Sequence, residues 1–206
     1  MLKIWGRLSS INVQKVVWCA RDLGCEFERI DAGGAFGVVD TPDFHRLNPN
    51  HKVPVIEDDG LVLWESNAIV RYLCAKHPDA GLSPASLAER ADCDRWMDWQ
   101  ATELTPALRD AFIQLVRTPP AQRQSALVDA SIRQTEPLVA ILDAALAGHR
   151  FIAGDRFTMA DIPLGCAIHR WYGMPVERIA RPNVSGWLDR VRQRPGAREV
   201  LALPLG

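Results

Sequence analysis

The chain has 206 residues, of which 48% are hydrophobic and 24% are charged, and its formal net charge is -1. This composition is that of a globular protein with one large domain or two modest ones. The balanced charge argues against a nucleic-acid partner, and no apolar run is long enough to span a bilayer. Because the N-terminal residues lack the apolar core of a signal peptide, we expect a cytoplasmic protein without a membrane partner.

The cysteines and histidines do not follow the patterns of a metal site. No two of the five cysteines are spaced as C-x-x-C, and the five histidines include no H-E-x-x-H motif. An odd number of cysteines without such spacing disfavours both a disulfide framework and a zinc site. We therefore expect reduced, mostly buried thiols and no bound metal.

The first third of the chain alternates short apolar runs with a helical one. The pattern predicts a buried strand at Leu2–Trp5, a helix at Asn12–Leu23 and a second strand at Cys25–Ala32. Glycine and proline interrupt residues 33–50, which predicts a loop with one helical turn around Phe44.

A hairpin and a helix follow this loop. The stretch "VPVIEDDGLVLWES" holds two short strands about an Asp-Asp-Gly turn, and a helix is predicted at Ser66–Ala75. A strand, a helix, a strand and then an antiparallel hairpin predict a mixed sheet with helices packed against it.

The remainder of the chain is predicted to be helical. Proline, glycine and serine mark residues 77–86 as a linker. Long helices are predicted from Leu87 to about Val116 and from about Arg123 to Ala147, with a break between them, and shorter helices follow. The fold class is therefore α/β plus all-α, with an α/β domain at residues 1–76 and an all-α domain at residues 87–206.

Polar residues at the start of the first helix raise the first functional question. Ser10 and Asn12 lie in "RLSSINVQK", between the first strand and the first helix. Serine and asparagine are common caps at this position. These residues either cap the helix or hold a reactive group there, and position alone leaves both interpretations open.

Two further sites suit a peptide ligand with an amino-acid head. Pro54 begins a strand, where neighbouring backbone N–H and C=O groups can pair with an extended peptide. Glu65 and Ser66 begin a helix, where free N–H groups bind a carboxylate and the acidic side chain pairs with an ammonium group. Taken singly, each site is also explained as an ordinary strand-initiating proline or a capping serine beside a solvated glutamate.

In this order and spacing, the motifs resemble those of the soluble glutathione S-transferase family, of the bacterial theta-like and plant phi-like kind. The resemblance is carried by S-x-N at residues 10–12, "LNPNHKVPVIEDDG", "ESNAIVRYL", "RADCDRWMDWQATEL" and "FTMADI", the last with Thr158 as N-cap and Asp161 at N3. It covers the whole chain. It implies a thioredoxin-like N-terminal domain with a mixed four-stranded sheet, followed by an all-helical C-terminal domain.

The family's ligand is glutathione, an extended tripeptide with a γ-glutamyl head and a central thiol. The resemblance implies that Glu65 and Ser66 hold the γ-glutamyl ammonium and carboxylate groups. It also implies that Val53, before a cis Pro54, pairs its backbone N–H and C=O with the cysteinyl unit. Glutathione is then a co-substrate, and the thiol lies over the N-terminus of the first helix.

The thiol and the glycyl end have their own candidates. A free thiol has a pKa of about 8.5, so a hydroxyl that donates to sulfur at a helix N-terminus favours the reactive thiolate. By resemblance, Ser10 is that donor, and Asn12 either orients Ser10 or donates to sulfur itself. Lys52 reaches the glycyl end. His51, where relatives commonly have glycine, either contacts the glycyl carboxylate or is simply exposed.

The second substrate is expected between the domains, near the first loop and the long helix. Its pocket would be apolar, which suits a hydrophobic electrophile. Each candidate residue is also explained as plain interdomain core; they are Leu8, Ile11, Leu104, Leu108, Phe112 and Trp171. The family is usually dimeric, so the resemblance implies a homodimer.

Three alternatives to conjugation remain open at the level of sequence. A glutathione-dependent disulfide reductase or peroxidase would use the same binding site, and without C-x-x-C the reactive sulfur must still arrive with the ligand. A double-bond isomerase typically has S-S-C in the first loop, where this chain has Ile11 after the serines. A non-catalytic binding module on the same fold would tend to lose the ligand-contacting residues that are retained here.

Overall fold

A four-stranded mixed sheet organises the N-terminal part of the chain in the computed structural model, which describes residues 1–206. Its strands are β1 (Leu2–Trp5), β2 (Phe27–Ile30), β3 (Val55–Asp58) and β4 (Leu61–Trp64). The strand order is β2-β1-β3-β4, with β1 parallel to β2 and β3 antiparallel to both β1 and β4. The predicted mixed sheet is confirmed.

The turn between β3 and β4 follows from its sequence. Asp59 and Gly60 form a two-residue loop with φ values of 50° and 88°. Positive φ at both central residues defines a type I′ turn, whose twist matches that of the flanking strands. An Asp-Gly pair adopts this backbone at low cost, and the predicted hairpin is confirmed.

Three helices accompany the sheet: α1 (Ile11–Asp22), α2 (Pro42–Leu47) and α3 (Ser66–Lys76). The helix α1 begins one residue before its predicted start, and Gly24 follows its end at φ 69°. The helices α1 and α3 pack against each other through Cys19 and Cys74, whose Sγ atoms are 3.6 Å apart in the core. The predicted helices of this region are confirmed.

The second compact unit comprises Pro84–Gln193 with Leu205–Gly206 and is helical. Its α-helices are α4 (Leu87–Trp99), α5 (Thr105–Phe112), α6 (Ser125–Ala145), α7 (Asp161–Gly173) and α8 (Pro182–Val191). Two π-helical segments, Gln100–Leu104 and Ile113–Arg117, continue α4 and α5, so residues 87–117 form one helical stretch as predicted. No helix in the chain has both the length and the apolar character needed to cross a membrane.

The last helix, α9 (Pro195–Val200), returns to the first compact unit, which comprises Met1–Ser83 and Arg194–Pro204. The buried Asp22 carboxylate at the end of α1 accepts the Gly196 N–H at 2.9 Å and Arg194 Nε–H at 3.0 Å. A side chain at Gly196 would collide with the backbone of Trp18. The predicted helical domain at residues 87–206 included this segment, whereas the structure packs it against α1.

The start of α7 is built around the carboxylate of Asp161, which is fully buried. It accepts the backbone N–H groups of Ile152 at 3.0 Å and Thr158 at 2.9 Å, and Trp187 Nε1–H at 2.8 Å. The expected N-cap role of Thr158 is corrected, because its hydroxyl donates to Asp161 and the helix begins at Asp161 itself. Asp161 therefore links three segments of the second unit.

Candidate functional site

The N-terminus of α1 leaves the Ser10 hydroxyl available to a ligand. Ser10 is the N-cap, with φ -84° and ψ 121°, and its carbonyl accepts the Gln14 N–H at 2.9 Å. Its side chain caps no backbone N–H group. Unsatisfied N–H groups and the positive end of the helix dipole occur at this end of a helix. The position therefore combines a hydroxyl donor with a local field that favours an anion.

A polar chain connects the starts of α1 and α3. The Ser66 hydroxyl donates to Asn12 Oδ1 at 3.4 Å, and Lys15 Nζ donates to Ser66 Oγ at 3.5 Å. Ser66 and Lys15 are buried, with exposures of 6% and 2%. The ammonium group thus lies beneath the helix N-terminus that was predicted to bind a carboxylate, and Asn12 is joined to it through Ser66.

Glu65, immediately before α3, has a backbone that few residues of its type adopt. Its φ is 72° and its ψ is 109°, and its side chain is exposed and caps no backbone group. Non-glycine residues in such conformations are strained and occur preferentially at functional sites. The conformation leaves the carboxylate exposed beside the free N–H groups of the helix.

The Val53–Pro54 peptide bond is cis, as the resemblance implied. Pro54 is buried, and Val53 is partly buried directly before β3. The backbone of Gly6, at φ 146°, lies under Val53, and a Cβ at Gly6 would be 3.1 Å from Val53 Cβ and would collide with Val13. A glycine at the end of β1 therefore permits the close approach of the Val53 segment.

A surface pocket of about 270 Å³ brings several of the predicted residues together. It is lined by Arg7, Ser10, Gly33, Gly34, Val39, His51, Lys52 and Val53. The predicted thiolate donor and three predicted glutathione contacts thus share one pocket. Three predicted contacts remain: Pro54 is buried directly after Val53, and Glu65 and Ser66 lie at the start of α3, where Ser66 is bonded to Asn12.

His51 is exposed and held in a defined orientation. Its φ is 54°, its Nδ1 lies 2.9 Å from the Val39 carbonyl oxygen, and its Nε2 lies 2.8 Å from His45 Nδ1. Nδ1 is also 3.5 Å from Asp40 Oδ1. The ring is thus exposed and forms part of the pocket wall, and its contact with the glycyl carboxylate stays a prediction.

The six predicted second-substrate residues are divided between the two compact units. Leu8 is partly buried and Ile11 is buried in the first unit. The other four are buried in the second unit: Leu104, Leu108, Phe112 and Trp171. In that unit the Arg170 guanidinium lies 3.8 Å from the centre of the Phe112 ring. The interdomain pocket itself stays a prediction.

Arg7 and Lys15 were missed by the sequence reasoning. Arg7 lines the pocket beside Ser10, and the buried Lys15 donates to Ser66, which is 51 positions away in the sequence. A charged residue between the end of a buried strand and a helix cap was the available signal for Arg7. For Lys15, a cation on the apolar helix α1 gave a hint, but nothing in the sequence names its partner.

Comparisons with known proteins identify the family of this chain. Models described as "Glutathione S-transferase, N-terminal domain" and "Glutathione S-transferase, C-terminal domain" match residues 1–75 and 125–190. The chain is 40% identical over 207 residues to glutathione S-transferase GstB of Escherichia coli K12, covering 100% of both chains. It is 30% identical over 212 residues to glutathione S-transferase 3 of Zea mays, covering 99% of this chain and 95% of the relative.

The three-dimensional structure of this chain is also similar to that of a solved glutathione S-transferase. It is the theta class glutathione S-transferase of Xanthomonas axonopodis pv. citri with glutathione bound, at a TM-score of 0.96 and 46% identity. The match covers 100% of this chain and 99% of that one. The resemblance inferred from the motifs is confirmed, and the chain belongs to the glutathione S-transferase family of transferases.

Proposed function

We propose that this protein transfers the thiolate of glutathione to hydrophobic electrophiles, with Ser10 as the principal donor to sulfur and Asn12 as the second. The observation that carries the proposal is the meeting of Ser10, Val53 and Lys52 in one pocket, with Ser66 bonded to Asn12 nearby. Each group matches a different part of an extended thiol tripeptide.

Glutathione would be held along its length by three elements. The free N–H groups of α3, with Ser66, bind the γ-glutamyl carboxylate, and the exposed Glu65 pairs with the ammonium group. The backbone N–H and C=O of Val53 pair with the cysteinyl unit, as an added strand does at a sheet edge. His51 and Lys52 lie at the glycyl end. This orientation brings the thiol to the N-terminus of α1.

The chemistry that follows is stabilisation of an anion. The Ser10 hydroxyl donates to sulfur and the dipole of α1 adds to the effect, so the pKa of the bound thiol falls below its free value of about 8.5. The thiol proton passes to solvent, and the thiolate forms a C–S bond with the electrophilic carbon. The electron pair that this displaces leaves with a departing anion such as a halide, or, in an addition to an activated double bond, moves to the neighbouring carbon, which then takes a proton from solvent. Asn12 Oδ1 accepts from Ser66, which leaves its amide N–H groups as the second donor.

The protein's own cysteines are poor candidates for this role. Cys19 and Cys74 are buried, and their mutual hydrogen bond together with burial raises the pKa of the Cys19 thiol well above its ordinary value. A protonated buried thiol is inert as a nucleophile. Burial also raises the pKa of the Cys25 and Cys93 thiols, and Cys166 is buried, so the reactive sulfur comes from the ligand.

We also propose a homodimer in the cytoplasm that binds its electrophile through the apolar residues named above. The free state of all five cysteines supports a reducing compartment. Sedimentation equilibrium of the purified protein tests the dimer, for which a mass of about twice 22.9 kDa is expected.

The test of the proposed function is conjugation of glutathione to a panel of model electrophiles. Ser10→Ala should lower kcat/KM by about 10²- to 10³-fold, in the range seen when one donor to a developing anion is removed. Asn12→Ala should lower it less. If the wild-type protein conjugates none of the electrophiles while binding glutathione, conjugation is the wrong activity.

The Asn12 amide beside Ser66 favours one second candidate, reduction of disulfides or hydroperoxides with two glutathione molecules. An amide donor stabilises a sulfur anion both as a nucleophile and as a leaving group. An assay coupled to glutathione reductase separates the two activities, because only reduction consumes NADPH. Oxidation of NADPH without any conjugate would select this candidate.

A further inference from the structure

The Arg7 side chain rests on two glycines at the edge of the candidate pocket. A Cβ built at Gly33 would lie 2.8 Å from Arg7 Nη1, and one at Gly34 would lie 3.0 Å from Arg7 Nε. The φ values of these glycines are 79° and 60°. Side chains at either position would displace the guanidinium, so the absence of a Cβ at Gly33 and Gly34 lets it pack closely against their backbone.

The guanidinium differs from its neighbours in having no anionic partner. Arg29 pairs with Asp31, and Arg46 pairs with Asp43. Arg7 is partly buried, and its side chain makes no hydrogen bond or ion pair in the structure. A guanidinium presents five N–H donors, and those of Arg7 face the pocket without a protein acceptor. A positively charged group held in this way is complementary to an anionic ligand.

The position of Arg7 within the pocket identifies which anion it would meet. If Val53 pairs with the cysteinyl unit and the thiol lies at Ser10, the next residue of the tripeptide extends towards Lys52. Arg7 and Lys52 line the same pocket as Ser10 and Val53. The terminal carboxylate of the tripeptide therefore enters a region with two cations.

We propose that Arg7 binds the glycyl carboxylate of glutathione and makes the protein selective for thiol peptides with a free C-terminal carboxylate. The planar guanidinium fork matches a carboxylate in a bidentate contact, which a lysine ammonium cannot reproduce. Lys52 contributes charge, and Arg7 contributes charge and orientation. The inference rests on the proposed function, because it takes glutathione as the ligand.

Calorimetric titration with glutathione and with its glycyl monoethyl ester tests this assignment. The ester keeps the γ-glutamyl head and the thiol but has no C-terminal charge. The wild-type protein should bind glutathione at least about tenfold more tightly than the ester, a ratio typical of one charge-assisted contact. Arg7→Met should bind the ester as tightly as the wild type does and should keep only the part of the glutathione-to-ester ratio that the charge of Lys52 supplies, while Arg7→Lys should recover part of the lost ratio.

The ester serves as the internal control for folding, and Arg46→Met serves as the matched surface control because Arg46 contacts only the exposed Asp43. That variant should keep the wild-type ratio. An unchanged ratio in Arg7→Met, or an equal loss of affinity for both ligands, would overturn the assignment. Absence of glutathione binding by the wild-type protein would instead overturn the proposed function.

The same variant distinguishes the carboxylate from the thiolate as the target of Arg7. If Arg7 binds the carboxylate, Arg7→Met raises KM for glutathione and leaves the acidic limb of the kcat profile in place. A shift of that limb to higher pH with KM unchanged would show that Arg7 stabilises the thiolate, and the assignment would fail.

Discussion

Single glycines decide how closely the backbone segments of the site approach one another. Gly6 lies under Val53, while Gly33 and Gly34 pack against the Arg7 side chain. In each case the space that a side chain would fill is already occupied by a neighbouring side chain of the site. Substitution at these positions therefore tests packing and binding together.

At the residue scale, Gly6→Ala should both destabilise the fold and weaken glutathione binding. The added Cβ collides with Val13 and approaches Val53 at 3.1 Å, and φ 146° is unfavourable for any residue with a side chain. Together these effects should lower the free energy of unfolding by about 2–4 kcal/mol. Urea denaturation measures the stability, and calorimetry measures the affinity.

The matched control is Gly154→Ala, at φ 117° with no atom within 4 Å of the added Cβ. It introduces backbone strain without a collision, so it should lower the free energy of unfolding by only about 1 kcal/mol. Glutathione affinity should be unchanged. Equal losses in the two variants would show that strain, and not the contact with Val13 and Val53, limits Gly6.

At the element scale, the carboxylate of Asp22 in α1 binds the start of α9 through hydrogen bonds. Asp22 accepts Trp18 Nε1–H within α1, and it also accepts Arg194 Nε–H and the Gly196 N–H. Its side chain has no exposed surface. A segment that follows the helical unit in the chain is thereby held to the first unit.

Asp22→Ala should lower the free energy of unfolding by about 2–3 kcal/mol, because three donors, two of them on buried residues, lose their acceptor. Hydrogen exchange at the α9 amides should accelerate more than exchange at β1. The control is Asp43→Ala, which removes an exposed ion pair with Arg46 and should change stability by less than about 0.5 kcal/mol. Protection of α9 at the wild-type level in Asp22→Ala would show that packing alone holds the helix.

The contrast between β4 and α9 explains what the sequence can and cannot predict. The hairpin, Pro54 and the starts of α1 and α3 depend on neighbouring residues, so turn chemistry and periodicity located them. The Gly196–Asp22 contact joins residues 174 positions apart, and the Lys15–Ser66 contact joins residues 51 positions apart. No local pattern records such contacts, and the same holds for the fit of Arg7 on Gly33-Gly34.

At the scale of the whole molecule, a buried carboxyl group and a partly buried imidazole of the second unit give opposite pH dependence to stability. Burial raises the pKa of Asp161 to about 6, although four donated hydrogen bonds oppose the shift. Burial, with the nearby Arg192 and Arg170, lowers the pKa of His169 to about 4. The carboxyl group therefore binds its proton more tightly in the folded chain, and the imidazole binds its proton less tightly.

The signs follow from proton linkage. The contribution of Asp161 is full below its unfolded pKa of 3.8 and is lost as pH rises through about 6, which amounts to about 3 kcal/mol. The contribution of His169 is full above its unfolded pKa of 6.5 and is lost as pH falls towards about 4. Between pH 4 and 6.5 the two slopes oppose each other, so the wild-type profile should be comparatively flat.

Substitution of either residue should make the pH dependence that the other gives to the free energy of unfolding directly measurable. The Asp161→Asn variant retains the contribution of His169. The free energy of unfolding of this variant should therefore rise from pH 4 to 6.5 relative to the wild type. The His169→Gln variant retains the contribution of Asp161, so the free energy of unfolding of this variant should fall over the same range. Urea denaturation at pH 4.0, 5.0 and 6.5 gives these slopes independently of the absolute loss of stability in each variant. If Asp161→Asn keeps the wild-type slope, the four donors to Asp161 outweigh its burial and hold the carboxyl pKa near its ordinary value.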